Sequence, residues 1–236
     1  MSERLERYLA KAKAAPMEAA PRSRKDEGDA EAASCAFLEA MRKRRTIRQF
    51  STETVPWVLI ENAVRTAMTA PSGANLQPWM FVIVSDAQVK VRLREAIEAE
   101  EHETYATRAS DEWLDALAPL GTDWHKEHIT AAPYLAIVFA QAYGVVAADP
   151  ADARKVKHYY VQESVGISVG FFLASLAAAG LSTLTHTPNP MGFLREILDR
   201  PENERAFVVI PIGYAADDAQ VPKIAKKRLD EVLVRR

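Results

Sequence analysis

Residues 69–86 read TAPSGANLQPWMFVIVSD and hold the clearest step in the chain from a turn to a buried strand. The first part is dense in turn-forming residues, and WMFVIV is an unbroken apolar run of strand length. Asp86 then stands where its side chain can cap the helix predicted for DAQVKVRLREAIEAEE. A turn, a strand and a helix in this order predict a sheet covered by helices.

Strand and helix patterns alternate on both sides of this stretch. Strands are also predicted for PYLAIVFA, LSTLTHT and AFVVIPIGY, and helices for CAFLEAMRKR, WVLIENAVRTAM and MGFLREILD. A long helix is predicted from about residue 153 to residue 179, ending before Gly180. The chain has only 9 glycines and no glycine-rich phosphate motif, so a P-loop or dinucleotide fold is not expected. The pattern favours a single α+β arrangement, a sheet against helices.

The composition excludes several classes of function. A formal net charge of −2 gives no general attraction to nucleic acid or to anionic membranes. The single cysteine excludes an intramolecular disulfide and a cysteine-built metal site, and it indicates a reducing compartment. We therefore expect a cytoplasmic protein without a metal centre, a nucleic-acid partner or a membrane partner.

Residues 1–33 are predicted to form an N-terminal arm or linker, because residues 14–33 are rich in alanine, proline and charge and lack apolar periodicity. The first residues, MSERLERYLAKAKAAP, contain no apolar core of a secretory signal. The apolar run at residues 165–181 approaches the length of a membrane span, but its serines and glycines favour a buried helix of a soluble protein. Small residues on several faces of this helix need packing on all sides, which predicts a homodimer.

Two motifs are interpreted as structural. GISVG at residues 166–170 matches the nucleophile elbow in letters, but it lies inside an apolar helical run rather than between a strand and a sharp turn. HKEH at residues 125–128 has no zinc-protease spacing, and we interpret it as a solvated polar face.

The stretch MRKRRTIRQFS, residues 41–51, concentrates five cations. It can be a solvated helix end, where cations suit the helix dipole, or a nucleic-acid patch, although no aromatic and basic stripe accompanies it. It can also be a phosphate clamp, because arginine offers forked donors to a phosphate monoester. The residues alone leave these alternatives open.

Two further segments have ligand-facing chemistry. Ser72, Gly73 and Ala74 are small, so their backbone N–H groups can approach a flat ring closely, although the segment can also be a plain turn. Thr185 and Thr187 stand at the end of a predicted strand, where a hydroxyl can face a ligand.

Together, RRTIR, TAPSGANLQPWMFVIVSD, TLTHTP and VVIPIGYA, followed by a basic tail, resemble the flavin-dependent nitroreductase superfamily. The resemblance runs from about residue 37 to the C-terminus and implies one FMN-binding domain over residues 34–236. It implies a nitroreductase-like α+β fold, with a central, mostly antiparallel sheet flanked by helices, in an intertwined homodimer with FMN at the interface. It assigns FMN contacts to Arg44, Arg45, Thr46, Arg48, Ser72, Gly73, Thr185, His186, Thr187 and Lys226. Lys226 stands where the family has an arginine, and the nearby Arg228 is the alternative for that contact.

Within the superfamily, RRTIRQFS, VKHYYVQESVGISVG and AAGLSTLTHTP resemble the iodotyrosine deiodinases. In that family a glutamate, a tyrosine four residues later and a distant lysine bind the amino-acid end of a halotyrosine, here Glu101, Tyr105 and Lys126. The resemblance places them in a substrate lid at about residues 97–128, called the lid segment below. It also implies that the Ala74 N–H binds the phenolate and that Thr187 hydrogen-bonds flavin N5, in keeping with one-electron chemistry.

The chemistry of the three residues agrees with this role. A free amino acid presents an ammonium and a carboxylate, and its site needs an acid for the first and a cation with a neutral donor for the second. Glu101 and Tyr105, four residues apart, share one face of a helix.

The resemblance therefore predicts FMN-dependent reductive dehalogenation of 3-iodotyrosine and 3,5-diiodotyrosine, with bromo- and chlorotyrosine as further substrates. One alternative is a general NAD(P)H-dependent nitro or quinone reductase. Another is a flavin-loaded halotyrosine-binding protein of low turnover. No nicotinamide motif is visible, so the electron donor is unidentified.

Overall fold

The computed structural model describes residues 2–146 and 153–236 and divides the chain into two compact units, residues 1–38 and 39–236. In the first unit, helix α1 (Glu3–Lys13) begins after Ser2, whose hydroxyl accepts from the Leu5 N–H. Helix α2 (Glu27–Lys43) contains the boundary between the units. Residues 27–33 of the predicted arm or linker are helical, because they consist mainly of alanine and acidic residues, which favour a helix and its first turn. The arm itself remains a prediction.

The second unit is built on a four-stranded sheet, whose strands stand in the order β1-β2-β6-β5 and pair antiparallel throughout. Its strands are β1 (Trp79–Val84), β2 (Tyr134–Gln141), β5 (Ser182–Thr183) and β6 (Glu204–Gly213). Beyond β5, Thr46 pairs parallel with Thr183. The predicted mostly antiparallel sheet is therefore confirmed. Of the predicted strand LSTLTHT, only Ser182 and Thr183 form a strand of this sheet.

Helices cover both faces of the sheet. Alternate residues of β2 face opposite clusters, Ala136 and Val138 one cluster and Leu135 and Ile137 the other, and all four are 0% exposed. A strand buried on both faces has no polar alternation, which is why this segment is continuously apolar. The first face carries α3 (Trp57–Met68) and α7 (Val161–Ala178); the second carries α4 (Ala87–Glu103), α6 (His128–Ala131) and α8 (Gly192–Ile197).

The long helix predicted from residue 153 is shorter than expected. Strands β3 (Tyr143–Val146) and β4 (Arg154–Lys157) pair antiparallel, and helix α7 begins only at Val161. Tyr160, immediately before the helix, has a left-handed backbone with φ of 54° and interrupts any helix running through it. Cross-strand pairing therefore overrides the helical pattern of this segment.

Helix α7 carries the GISVG sequence inside a regular helix, as predicted. The Ser168 hydroxyl is buried and donates to the Ala67 carbonyl oxygen at 3.0 Å. Among the described residues, α7 alone is long and apolar enough to cross a membrane by length and composition. One side packs against α3 and the sheet, while Ile167 and Phe171 on another side are exposed.

Candidate functional site

A cavity of about 700 Å³ lies at the edge of the second unit, and we call it the grip cavity. Its walls come from the end of α4, the segments that follow it up to residue 128, and residues 184–190. The structure brings to it the following predicted site residues: Arg48, Glu101, Tyr105, Lys126, Thr185, His186 and Thr187.

Three of these side chains form one cluster. Lys126 Nζ lies 3.2 Å from Glu101 Oε2 and 5.6 Å from the centre of the Tyr105 ring. Lys126 is only 3% exposed. The acid, the cation and the phenol that the sequence predicted to act together are thus adjacent in one partly closed space.

The local sequence explains how α4 presents Tyr105. Helix α4 ends at Glu103 and continues as a π-helical turn, Thr104–Arg108, before the short helix α5 (Asp111–Leu117). Thr104 stabilises the turn, because its hydroxyl donates to the Glu100 carbonyl at 2.9 Å and its own carbonyl accepts from the Ala109 N–H at 2.8 Å. Single π turns often mark functional positions, and this one carries Tyr105 into the cavity.

Glu98 holds the backbone of Lys126 through a hydrogen bond, a role that the sequence did not predict. The Lys126 backbone N–H donates to Glu98 Oε1 at 2.7 Å, and the same oxygen accepts from Arg94 Nε at 2.8 Å. The Lys126 ammonium also donates to the Asp123 carbonyl. The spacing of Arg94 and Glu98, four residues apart, was visible in the sequence, but the contact with Lys126 depends on the folded chain.

The electrostatics keep Glu101 ionised and Tyr105 protonated. Burial raises the pKa of the Glu101 carboxyl, but its hydrogen bond to His186 and its interactions with His186 and Lys126 outweigh burial and lower it overall. Burial, aided by the charge of Glu101, raises the pKa of Tyr105. At neutral pH the cluster therefore offers a carboxylate, an ammonium and a neutral hydroxyl donor.

Two histidines complete the cluster. His186 Nε2 lies 2.8 Å from Glu101 Oε1, and the His186 ring meets the His128 ring edge-on at 6.0 Å. His128 is 6% exposed, so the interpretation of HKEH as a solvated face is wrong for this residue. Burial, reinforced by His186 and Lys126, lowers the pKa of His128 to about 3 and keeps it neutral. No local signal distinguished this histidine, because it is buried by residues distant in sequence.

A smaller cavity of about 140 Å³, the arginine cavity, collects the predicted phosphate ligands. Arg45 also donates to the Pro222 carbonyl, which brings the C-terminal tail alongside. Lys226 lines this cavity, whereas Arg228 pairs with Asp230, so the choice between them as a phosphate contact remains a prediction. The cationic or hydroxyl side chains that line the cavity are Arg44, Arg45, Thr46, Arg48 and Lys226.

Arg48 connects the two cavities. It lines both of them, and burial lowers the pKa of its guanidinium, opposed by the nearby Tyr105. A ligand that extends from the arginine cavity to the grip cavity would pass this side chain.

The loop formed by residues 72–77, called the 72–77 loop below, does not line either cavity within the described chain. Its backbone is strained, since Ala74, Asn75 and Gln77 have φ of 52°, 54° and 47°. The other amides between residues 73 and 77 donate to protein oxygens, whereas among the described residues the Ala74 N–H has no acceptor. The loop therefore presents one free amide, at the residue predicted to bind the phenolate.

A sequence model of the nitroreductase family matches residues 41–214, most of the chain. The chain belongs to the nitroreductase family. Within this family, an iodotyrosine deiodinase of Haliscomenobacter hydrossis is 53% identical over 201 residues, covering 85% of this chain and 89% of that protein. An iodotyrosine deiodinase of Nematostella vectensis is 44% identical over 202 residues, covering 85% of this chain and 75% of that protein.

A solved structure of the same family is similar over most of the chain. Oxidized iodotyrosine deiodinase bound to FMN and 3-iodo-L-tyrosine matches with a TM-score of 0.68 and 32% identity, covering 84% of this chain and 97% of that one. The predicted resemblance to the iodotyrosine deiodinases within the nitroreductase family is therefore confirmed, and so is the nitroreductase-like fold.

Proposed function

We propose that this protein is an FMN-dependent oxidoreductase that removes iodine from 3-iodotyrosine and 3,5-diiodotyrosine, giving tyrosine and iodide. The observation that carries the proposal is the cluster of Glu101, Lys126 and Tyr105 in a cavity that Thr187 also lines. Relatives named iodotyrosine deiodinase, one of them bound to FMN and 3-iodo-L-tyrosine, support it.

The cluster matches an amino-acid zwitterion group by group. In the free protein Glu101 and Lys126 satisfy each other. A zwitterion entering between them supplies an ammonium for Glu101 and a carboxylate for Lys126, with the Tyr105 hydroxyl as a second donor to that carboxylate. Each buried charge then has an opposite partner, and this attraction offsets much of the cost of removing the charges from water.

The remaining charge of the cavity favours an anionic ring. Besides Lys126 and Glu101, Arg48 and Arg108 line the space, and since Arg108 pairs with Glu100, Arg48 supplies the excess positive charge. A halogen ortho to the phenol withdraws electrons and favours the phenolate, and the phenolate form of a halotyrosine is a net anion. The free Ala74 amide is a suitable donor for the phenolate oxygen.

The residues present also fit FMN. Three arginines, Lys226 and the Thr46 hydroxyl converge on the arginine cavity, and within residues 2–146 and 153–236 no carboxylate lines it, which suits a phosphate monoester. Thr185, His186 and Thr187 line the grip cavity, where Thr187 would hydrogen-bond flavin N5. Bound FMN supplies the two electrons that, with one proton, replace the carbon–iodine bond by carbon–hydrogen and release iodide. The chain's own residues orient the ring and exclude water.

The proposal includes a homodimer in which each site uses both copies of the chain. The 72–77 loop lies outside the grip cavity of its own chain, and α7 exposes Ile167, Phe171 and two glycines that leave room for a close partner. A second copy packed on this face would bring its loop to the first copy's lid segment.

We further propose bromo- and chlorotyrosine as substrates, because the amino-acid grip is independent of the halogen. The electron donor is left open. A cytoplasmic location is also part of the proposal, in keeping with the single cysteine.

The decisive experiment is anaerobic. The purified dimer with FMN reduced by dithionite is mixed with 3-iodotyrosine, and flavin reoxidation, tyrosine and iodide are followed. We expect one tyrosine and one iodide per reoxidised flavin. Rapid reduction of a nitroarene without deiodination would indicate the general reductase, and tight iodotyrosine binding without turnover would indicate a binding protein.

A further inference from the structure

The main chain of His186 is held by the centre of the sheet. Its N–H donates to the Val209 carbonyl at 2.9 Å, and its carbonyl accepts from the Val209 N–H at 2.8 Å. Val209 lies in β6, which is paired on both sides, so the sheet holds the main chain of His186 in place.

The Glu101 carboxylate is held through both of its oxygens. Oε1 lies 2.8 Å from His186 Nε2, and Oε2 lies 3.2 Å from Lys126 Nζ. Both Glu101 and Lys126 belong to the lid segment, whereas His186 belongs to the sheet side of the cavity. A carboxylate accepts about four hydrogen bonds, so room remains for an ammonium group.

The surroundings make the contact between His186 and Glu101 effective. Their side chains are 12% and 13% exposed, so water competes weakly for the hydrogen bond. His128, the ring beside His186, is neutral and adds no second cation near Glu101. His186 Nδ1 is buried and has no partner among the described residues, so Nε2 makes the one protein contact of the ring nitrogens.

We propose that His186 is a positioning residue for substrate recognition, fastening Glu101 and the lid segment to the sheet in the geometry that receives the substrate ammonium. The inference rests on the proposed function and adds to the flavin contact that the family resemblance assigned to His186. Because the carboxylate is oriented before ligand arrives, binding does not have to order it. Through its contact with Glu101, His186 thereby acts on affinity for the amino-acid end of the ligand.

The test compares two ligands that differ only in the amino-acid end. The FMN-loaded dimers of the wild type, His186→Phe and His186→Gln are titrated with 3-iodotyrosine and with 2-iodophenol, following the flavin spectrum. We expect His186→Phe to raise the Kd of iodotyrosine about 3- to 10-fold, because Glu101 must then be ordered when the ligand binds. The ratio of the Kd of iodotyrosine to the Kd of iodophenol should therefore rise, because iodophenol does not use Glu101. His186→Gln should recover part of the loss, because its amide can donate to Glu101.

A double variant separates positioning from general damage. If His186 acts through Glu101, adding His186→Phe to Glu101→Gln should weaken iodotyrosine binding by less than about twofold more. Equal losses for both ligands, additive losses in the double variant, or no loss at all would overturn the inference. If His186→Phe does not retain FMN, the comparison is made with His186→Gln, alone and combined with Glu101→Gln. A wild type that binds no iodotyrosine would instead overturn the proposed function.

Discussion

At the scale of single residues, Glu101 and Lys126 form a largely buried ion pair 3.2 Å long. Removing one member of such a pair leaves the other charge buried without compensation, which is more costly than losing an exposed pair. The same pair provides the charges that would recognise a zwitterion. Its variants should therefore change ligand affinity strongly.

The first prediction concerns this pair. Glu101→Gln or Lys126→Ala should weaken 3-iodotyrosine binding by about 10-fold or more, since each removes a charge-assisted contact. FMN should stay bound, because neither residue lines the arginine cavity. Titration with 3-iodotyrosine, followed by the flavin spectrum, measures the ligand affinity and shows whether FMN is retained. Glu103→Gln is the matched control, since the Glu103 side chain is exposed and, in the described part of the chain, accepts a hydrogen bond from Thr107 alone; an equal effect of the control variant would contradict the assignment of the grip.

The second prediction concerns His128 and the way the stability of the protein depends on pH. Its pKa is lowered from 6.5 to about 3 in the folded protein. Between these values the unfolded chain binds a proton that the folded chain does not, so the free energy of unfolding falls as the pH falls. Lowering the pH from 6.5 to 5 should cost about 2 kcal/mol through this residue alone.

Urea unfolding at several pH values, with protein and FMN concentrations fixed, measures this effect. His128→Phe should show a shallower loss of stability between pH 6.5 and 5. The lowered pKa of Glu101 acts separately, since its stabilising contribution is lost only as the pH falls below the ordinary value of 4.5. If wild type and His128→Phe lost equal amounts of unfolding free energy between pH 6.5 and 5, the buried neutral state of His128 would be ruled out.

At the scale of elements, the 72–77 loop is strained and yet closely held. The Gly73 N–H donates to the Ser164 hydroxyl at 3.3 Å, and Ser164 in turn donates to the Tyr160 carbonyl at 2.6 Å. Helix α7 thus fixes the loop from its first turn. Left-handed conformations at non-glycine residues persist only where the surroundings impose them, and here they leave the Ala74 amide free.

The third prediction tests the loop through Gly73. An added Cβ would lie 2.9 Å from the Tyr159 carbonyl oxygen and 3.0 Å from the Tyr160 ring, so Gly73→Ala must displace the loop. We expect weaker binding of both FMN and 2-iodophenol, by about 10-fold for the latter if the Ala74 amide no longer reaches the phenolate. Gly192→Ala is the control, because an added Cβ there meets nothing within 4 Å. Unchanged iodophenol affinity in Gly73→Ala would remove the loop from the site.

At the scale of the whole molecule, the predicted site residues fall into two separate groups in one chain. The residues of the grip and arginine cavities are together, while the 72–77 loop is elsewhere. A site shared between two copies reconciles this separation with the family's assignment of both groups to FMN and substrate.

The fourth prediction is complementation between two defective chains. A hybrid dimer of Lys126→Ala and Gly73→Ala chains, purified with two different tags, should contain one site with both groups intact. We expect it to regain about half of the wild-type deiodination rate, as one functional site in a twofold dimer. If each site belonged to a single chain, every site in the hybrid would carry a defect and the rate would remain at that of the parent dimers.

Local patterns in the sequence were sufficient for several conclusions. The apolar run of β2 predicted a strand, and the spacing of Glu101 and Tyr105 predicted that they share one side of a helix. The arginines around Thr46 were a candidate phosphate clamp because they are close in the chain itself. These features depend on helix and strand periodicity, which acts between near neighbours.

Only the tertiary structure decided the remaining features. It turned residues 154–157 into a strand by pairing them with residues 143–146, and it brought Glu98 to the Lys126 backbone. It also buried His128 and placed His186 against Glu101, 85 positions earlier in the chain. Burial and contacts between distant residues depend on how the elements pack and not on the local pattern. The sequence by itself therefore determined most helices and strands and the chemical types of the site residues. The tertiary structure decided which of these side chains meet.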